Sequence, residues 1–132
     1  MAKSIRSMLA IAGAIAVTGC ASMTAGQQAD RGEARLASML EGRLAGEPQS
    51  CIPAWRSTNL QIIDDTALVY DAGNTIYVAR PSQPQSLDSR DILVVNRTGS
   101  QLCTYDVVRT IDQSGFMTGV VFLDDFVPYV EQ

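Results

Sequence analysis

The sequence predicts a small, mainly β domain of the α+β class: an antiparallel barrel or curved sheet of about six strands with one N-terminal helix. Three observations carry this expectation. From Leu60 onward, short runs rich in Val, Ile, Tyr and Thr are separated by polar turn residues every six to twelve positions. Ahead of them, apolar residues recur at helical spacing. Only 113 of the 132 residues follow position 19, which is room for one hydrophobic core and not two.

The helix comes first. Asp30 followed by Glu33 reads as a variant of the capping box, and Leu36, Met39, Leu40 and Leu44 then share one face, with Gly46 and Pro48 closing the element. The spacing predicts a helix over 31–45. Gly32 and Gly42 each weaken it by about 1 kcal/mol relative to alanine, so its apolar stripe must dock against something; packing on the core is favoured over binding a partner.

Strands are predicted over 60–64, 67–71, 75–80, 91–96, 104–111 and 116–123, with polar or glycine-containing turns between them. Closing these strands with the helix over an end or edge buries the apolar alternation and leaves few exposed edges. The expected interior comprises Leu68, Tyr70, Ile76, Val78, Val94 and Val108. Of the aromatic residues Trp55, Phe116, Phe122, Phe126 and Tyr129, alternate strand members should face inward. The tail 124–129 is expected to cap the barrel, with an exposed docking strip as the alternative.

The N-terminus reads as an address. Lys3 and Arg6 precede an apolar run over 8–17 and the small residues Thr18 and Gly19, the order of a secretory signal. The run is about half of the roughly 20 residues that a membrane-spanning helix needs. Val17-Thr18-Gly19-Cys20 resembles the lipobox of bacterial lipoproteins, which implies cleavage before Cys20 and acylation of that cysteine. With Ala21 rather than Asp next, the resemblance implies delivery to the outer membrane, facing the periplasm. The expected organisation is a signal peptide over 1–19, a flexible tether over 20–29 and a single β-rich domain over 30–132. Two or three acyl chains make detachment slow, so the lipid is the expected membrane partner.

Composition excludes much chemistry. The chain has no histidine, and its one lysine is Lys3 in the removable segment. Ser-His-Asp and Cys-His catalysis, Ser-Lys enzymes, His-ligated zinc and Schiff-base chemistry therefore have no residues to work with. The formal charge is −4, or −6 without Lys3 and Arg6, which argues against a nucleic-acid partner because phosphate neutralisation requires a basic surface.

Cys51 and Cys103 are the two cysteines besides Cys20. In an oxidising compartment they have one intramolecular connectivity, a disulfide; a redox-active pair would more typically occupy CxxC. Asp64-Asp65 and Asp124-Asp125 are carboxylate doublets such as a glycosidase uses, but both lie at strand ends where aspartate forms turns. Calcium ligation by Asp112, Ser114 or the second doublet lacks the regular acidic loop with its closing glutamate. Asn96-Arg97-Thr98 matches a glycosylation sequon and reads more simply as a strand-end turn. No catalytic, cofactor-binding or metal-ligating residue is expected.

Cys51-Ile52-Pro53, Ile63-Asp64-Asp65, Thr75-Ile76-Tyr77-Val78, Asp91-Ile92-Leu93-Val94, Gln101-Leu102-Cys103 with Asp106, and Phe126-Val127-Pro128-Tyr129 together resemble small alphaproteobacterial lipoproteins of unknown function, over about residues 40–130. The resemblance implies a lipobox, a cysteine pair and a β-rich domain, and carries no activity or substrate. The expected function is a non-catalytic envelope lipoprotein acting as a structural or interaction accessory to an envelope protein partner. The alternative is a small-ligand or metal-binding periplasmic β-barrel, which a concave apolar pocket with convergent polar groups would favour.

Overall fold

The computed structural model describes residues 24–132, among which one α-helix and ten strands are arranged in three antiparallel sheets. Helix α1 spans Ala25–Met39. It begins earlier than the predicted 31 because Thr24 is the N-cap: its N–H donates to Gln27 Oε1 at 3.1 Å, leaving Glu33 free for another role. Residues 25–29, expected in the tether, are therefore helical. The helix also ends before 45. Gly42, at φ +74°, turns the chain, and Leu44 lies not on the helical stripe but exposed in a strand.

The largest sheet has the order β1 (Arg43–Ala45), β10 (Val127–Glu131), β5 (Thr75–Ala79), β4 (Ala67–Asp71), β3 (Leu60–Ile63). A second sheet pairs β2 (Cys51–Pro53) with β7 (Gln101–Cys103), and a third has β8 (Val107–Ile111) between β6 (Ile92–Asn96) and β9 (Met117–Val121). All six predicted strands are present as β3, β4, β5, β6, β8 and β9; β4 has the predicted bounds, and the others are shorter by one to three residues. The expected barrel is not formed: the strands divide among three sheets that do not close.

The reason lies in β4. Ala67, Leu68, Val69 and Tyr70 are all buried, so this strand has a core on each side instead of one core and one solvated face. On one face Ala67, Val69, Ile76 and Val78 join Ile63 and Leu36 of α1. On the other, Leu68 and Tyr70 join Ile52, Leu102, Val108 and Phe126. The interior expected for a barrel thus belongs to two separate cores, with Ile76 and Val78 in one and Leu68, Tyr70 and Val108 in the other; Val94 is in neither.

Candidate functional site

Cys20 lies outside the described residues. Cys51 and Cys103 are joined by a disulfide, 52 positions apart in sequence, as direct cross-strand partners of β2 and β7 with Cα atoms 4.0 Å apart. Thr104 N–H donates to the Ser50 carbonyl and Ala54 N–H to the Ser100 carbonyl, so the alternation of antiparallel pairing puts Cys51 opposite Cys103 at a non-hydrogen-bonded position. Pro53, which has no N–H, falls at the next such position and costs the ladder nothing. Ile52 and Leu102 between them are fully buried.

Of the acidic candidates, the Asp64, Asp112 and Asp125 carboxylates accept hydrogen bonds, while Asp65 and Asp124 are placed through their backbone. Asp64 accepts the Ser89 N–H at 2.5 Å and its hydroxyl at 3.0 Å, tying the β3–β4 turn to the loop before β6. Asp65 is the left-handed residue of that turn, at φ +50°. Asp124 N–H donates to the Arg80 carbonyl, and Asp125 accepts the Ser50 hydroxyl at 3.0 Å. Asp112 caps its own turn, its Oδ1 accepting the N–H groups of Ser114 and Phe116 at 2.8 and 3.0 Å. Among the described residues, no group of three or more carboxylates and sulfurs converges as a metal site. The sequon stretch 96–98 leaves β6 toward the turn at Gly99, φ +87°.

Three arginines are paired with acids. Arg80 grips Glu33 of α1 at 2.5 and 3.1 Å, a hydrogen bond that holds the Glu33 carboxyl below its ordinary pKa and raises that of Arg80. Arg43 meets Glu131 at 3.0 Å, and Arg90 meets Asp88, whose carboxyl is lowered by that hydrogen bond.

Two further arginines line a cleft to which all three sheets contribute. A cleft of about 220 Å³ has a floor of Leu60 (β3), Tyr70 (β4), Leu93 and Val95 (β6) and Leu102 (β7), with Arg56 and Arg97 beside it. Arg97 donates through Nη1 to the Ala54 carbonyl, which fixes its guanidinium against the chain that follows β2. The Tyr70 hydroxyl accepts the Arg56 N–H at 3.4 Å, and Tyr70 itself is buried. No carboxylate lines the cleft. The two arginines are 41 positions apart in sequence; Arg97 lies in a segment expected to be a turn, Arg56 in one without a periodic signal, and nothing local links them.

The aromatic residues divide differently from the expectation. Phe126 is in the larger core and Tyr129 packs near α1, so the tail 124–129 is neither a barrel cap nor a docking strip but the lead into β10 of the main sheet. Trp55, Phe116 and Phe122 are exposed. Phe116 and Phe122 flank β9, next to the solvent-facing side of the third sheet, where Ile92, Val94, Val107, Ile111 and Val120 alternate with the inward Leu93, Val95, Val108 and Val121. Among the described residues, no helix is long and apolar enough to cross a membrane. The chain matches no protein-family model, no curated protein and no solved structure.

Proposed function

We propose that the protein is a non-catalytic envelope lipoprotein, held by lipid on Cys20 in the outer membrane and facing the periplasm, that acts as an interaction accessory to another envelope protein. The anchor rests on the order of charge, apolar run and small residues before Cys20. The observation that supports the interaction reading is the outer side of the β6-β8-β9 sheet. Ile92, Val107 and Val120 there are 50, 44 and 40% exposed, Met117 is paired with Ile111 on the same side, and Phe116 and Phe122 are exposed at the two ends of β9. Several exposed apolar residues on one strand face of an exported domain favour a protein contact, whereas single exposed apolar residues need no explanation. Arg109, in the middle of that face and without an acidic partner among the described residues, favours a partner presenting a carboxylate over a second copy, which would bring two guanidinium groups together.

The test uses the full chain in intact cells. Intact mass of the mature protein should give an N-terminal acylated Cys20, and a photo-crosslinker at Val107 or Val120 should give a discrete adduct with one envelope protein. The same crosslinker in the Gly73 turn should give none. A mature chain without acyl mass overturns the anchor. Equal labelling from both positions, or none from the sheet face, overturns the accessory reading.

A further inference from the structure

We infer that the cleft between Arg56 and Arg97 is a binding site for a small amphipathic anion, a carboxylate or phosphate monoester carrying an apolar group about the size of a benzene ring or a short alkyl chain. A concave apolar cleft with convergent polar groups is the feature that favours the small-ligand alternative; it lies on a different surface from the sheet face of the accessory role, and the two are independent.

Size comes first. A cavity of about 150 Å³ lined by aliphatic and aromatic side chains binds benzene, so a cleft of about 220 Å³ takes a ring-sized apolar group with a small polar head and excludes a full-length lipid chain. The floor, Leu60, Leu93, Val95 and Leu102 with the Tyr70 ring, offers only apolar contact.

Polarity comes next, and it has one sign. Arg97 commits one N–H to the Ala54 carbonyl, which leaves the rest of its five-donor fork available and already oriented. Arg56 has no acidic partner among the described residues. The Tyr70 hydroxyl accepts from the Arg56 N–H, and its own proton has no acceptor among the described residues, so it too is a donor at the edge of the floor.

What distinguishes this pair is its place. Of the eight arginines among the described residues, Arg43, Arg80 and Arg90 meet an acid and five do not, and of those five Arg56 and Arg97 line one cleft that has no carboxylate in its lining, whereas the clefts beside Arg31 and Arg35 include Asp64 or Asp91. An oxyanion supplies the missing acceptor, and the apolar floor supplies a reason for the anion to carry a hydrophobic group. Inorganic phosphate alone leaves that floor empty; a neutral alcohol leaves the donors unpaired, which costs affinity.

The experiment is calorimetric titration of the full chain, in mild detergent against a detergent blank, with hexanoate, hexyl phosphate, 1-hexanol and inorganic phosphate. Hexanoate or hexyl phosphate should bind saturably at millimolar concentration and at least tenfold more tightly than hexanol and inorganic phosphate. Which of the two binds better assigns the head group. Trp55, the chain's one tryptophan and the residue between Ala54 and Arg56, supplies a second readout through its fluorescence. Arg56→Gln, whose guanidinium makes no hydrogen bond or ion pair among the described residues, should weaken binding at least tenfold with unchanged thermal unfolding; Arg97→Gln should weaken it too. Four results overturn the proposal: no saturable binding of either amphiphile, hexanol binding as tightly as hexanoate, inorganic phosphate binding as tightly as hexyl phosphate, or full affinity in Arg56→Gln. The sheet-face crosslink does not depend on any of them.

Discussion

Gly32 of α1 lies directly against Thr66: a Cβ at position 32 would overlap the Thr66 hydroxyl and the Asp64 carbonyl oxygen, which are hydrogen-bonded to each other at 2.8 Å. The helix can approach the β3–β4 turn this closely because one residue on its face has no side chain. Read along the sequence, Gly32 only weakens a helix; in the fold, it allows Leu36 to reach Ile63, Ala67 and Val69.

Gly32→Ala should therefore destabilise the domain by about 1 to 3 kcal/mol, because overpacking outweighs the roughly 1 kcal/mol that alanine adds to helix propensity. Gly26→Ala, in the same helix with nothing within 4 Å of the added methyl, should be neutral or stabilising by up to about 1 kcal/mol. Urea unfolding of the two variants checks the pair, and equal effects would deny the close approach.

Breaking the disulfide frees a loop of 52 residues, and chain-entropy arithmetic puts the loss at about 4 kcal/mol. The Cys51→Ser/Cys103→Ser double variant should still fold, with Ile52 and Leu102 in the core, and should show a lower midpoint with an equal or larger urea slope, since the denatured chain without the cross-link expands. Denaturation with and without reductant should reproduce the difference in the unmodified chain.

Phe126→Ala should cost about 3 to 5 kcal/mol, because this fully buried ring belongs to the core shared by all three sheets. Phe122→Ala, four positions earlier and exposed, should change stability by less than about 0.5 kcal/mol. Thermal unfolding of the two distinguishes a structural tail from a docking strip.

The Glu33–Arg80 pair links helix to sheet and is sensitive to acid. Its hydrogen bond holds the Glu33 carboxyl below the ordinary value of 4.5, so its contribution is fully present above that value and is lost as pH falls through the lower, folded one. Both side chains are about half exposed, which limits the contribution to a few tenths of a kcal/mol, at most about 1. Glu33→Gln should therefore be slightly less stable than the parent at pH 7, and the difference should shrink as pH falls below the ordinary carboxylate value, as measured by urea midpoints across that range.

The aspartate doublets serve turns and tethers, and asparagine keeps much of that geometry. Asp124→Asn/Asp125→Asn should complement a deletion strain fully. Asp64→Asn/Asp65→Asn should complement it with a modest stability loss from the weakened Ser89 tether. Abolished complementation by a folded, abundant variant would turn the turn reading into a site.

The six strands legible in the sequence share one property: each carries its signal locally, in β-branched runs bounded by turn residues. β1, β2 and β7 do not. Each is three residues long, and Arg43–Ala45, Cys51–Pro53 and Gln101–Cys103 become strands only through partners 48 or more positions away. The helix was misplaced for a related reason: Asp30 and Glu33 form a plausible cap, but Glu33 is held by Arg80, 47 positions on, and the actual cap is at Thr24. The candidate cleft was not legible as a site: Tyr70 is expected in the interior, Leu60 and Leu93 simply in strands, Arg97 in a turn, and Arg56 and Leu102 carry no local signal.

The sequence by itself determined the class of the domain, the six locally encoded strands, the pairing of the two domain cysteines and the absence of any imidazole or domain lysine. These follow from period-two patterning, turn chemistry and arithmetic, all of which are local or global counts. Only the tertiary structure decided that β4 is buried on both faces, that its neighbours Leu68 and Val69 therefore serve different cores, and that Arg56 and Arg97 stand at one cleft. Alternation along a strand states which residues share a side, and says nothing when both sides are apolar; which layer covers each side depends on contacts between segments far apart in the chain.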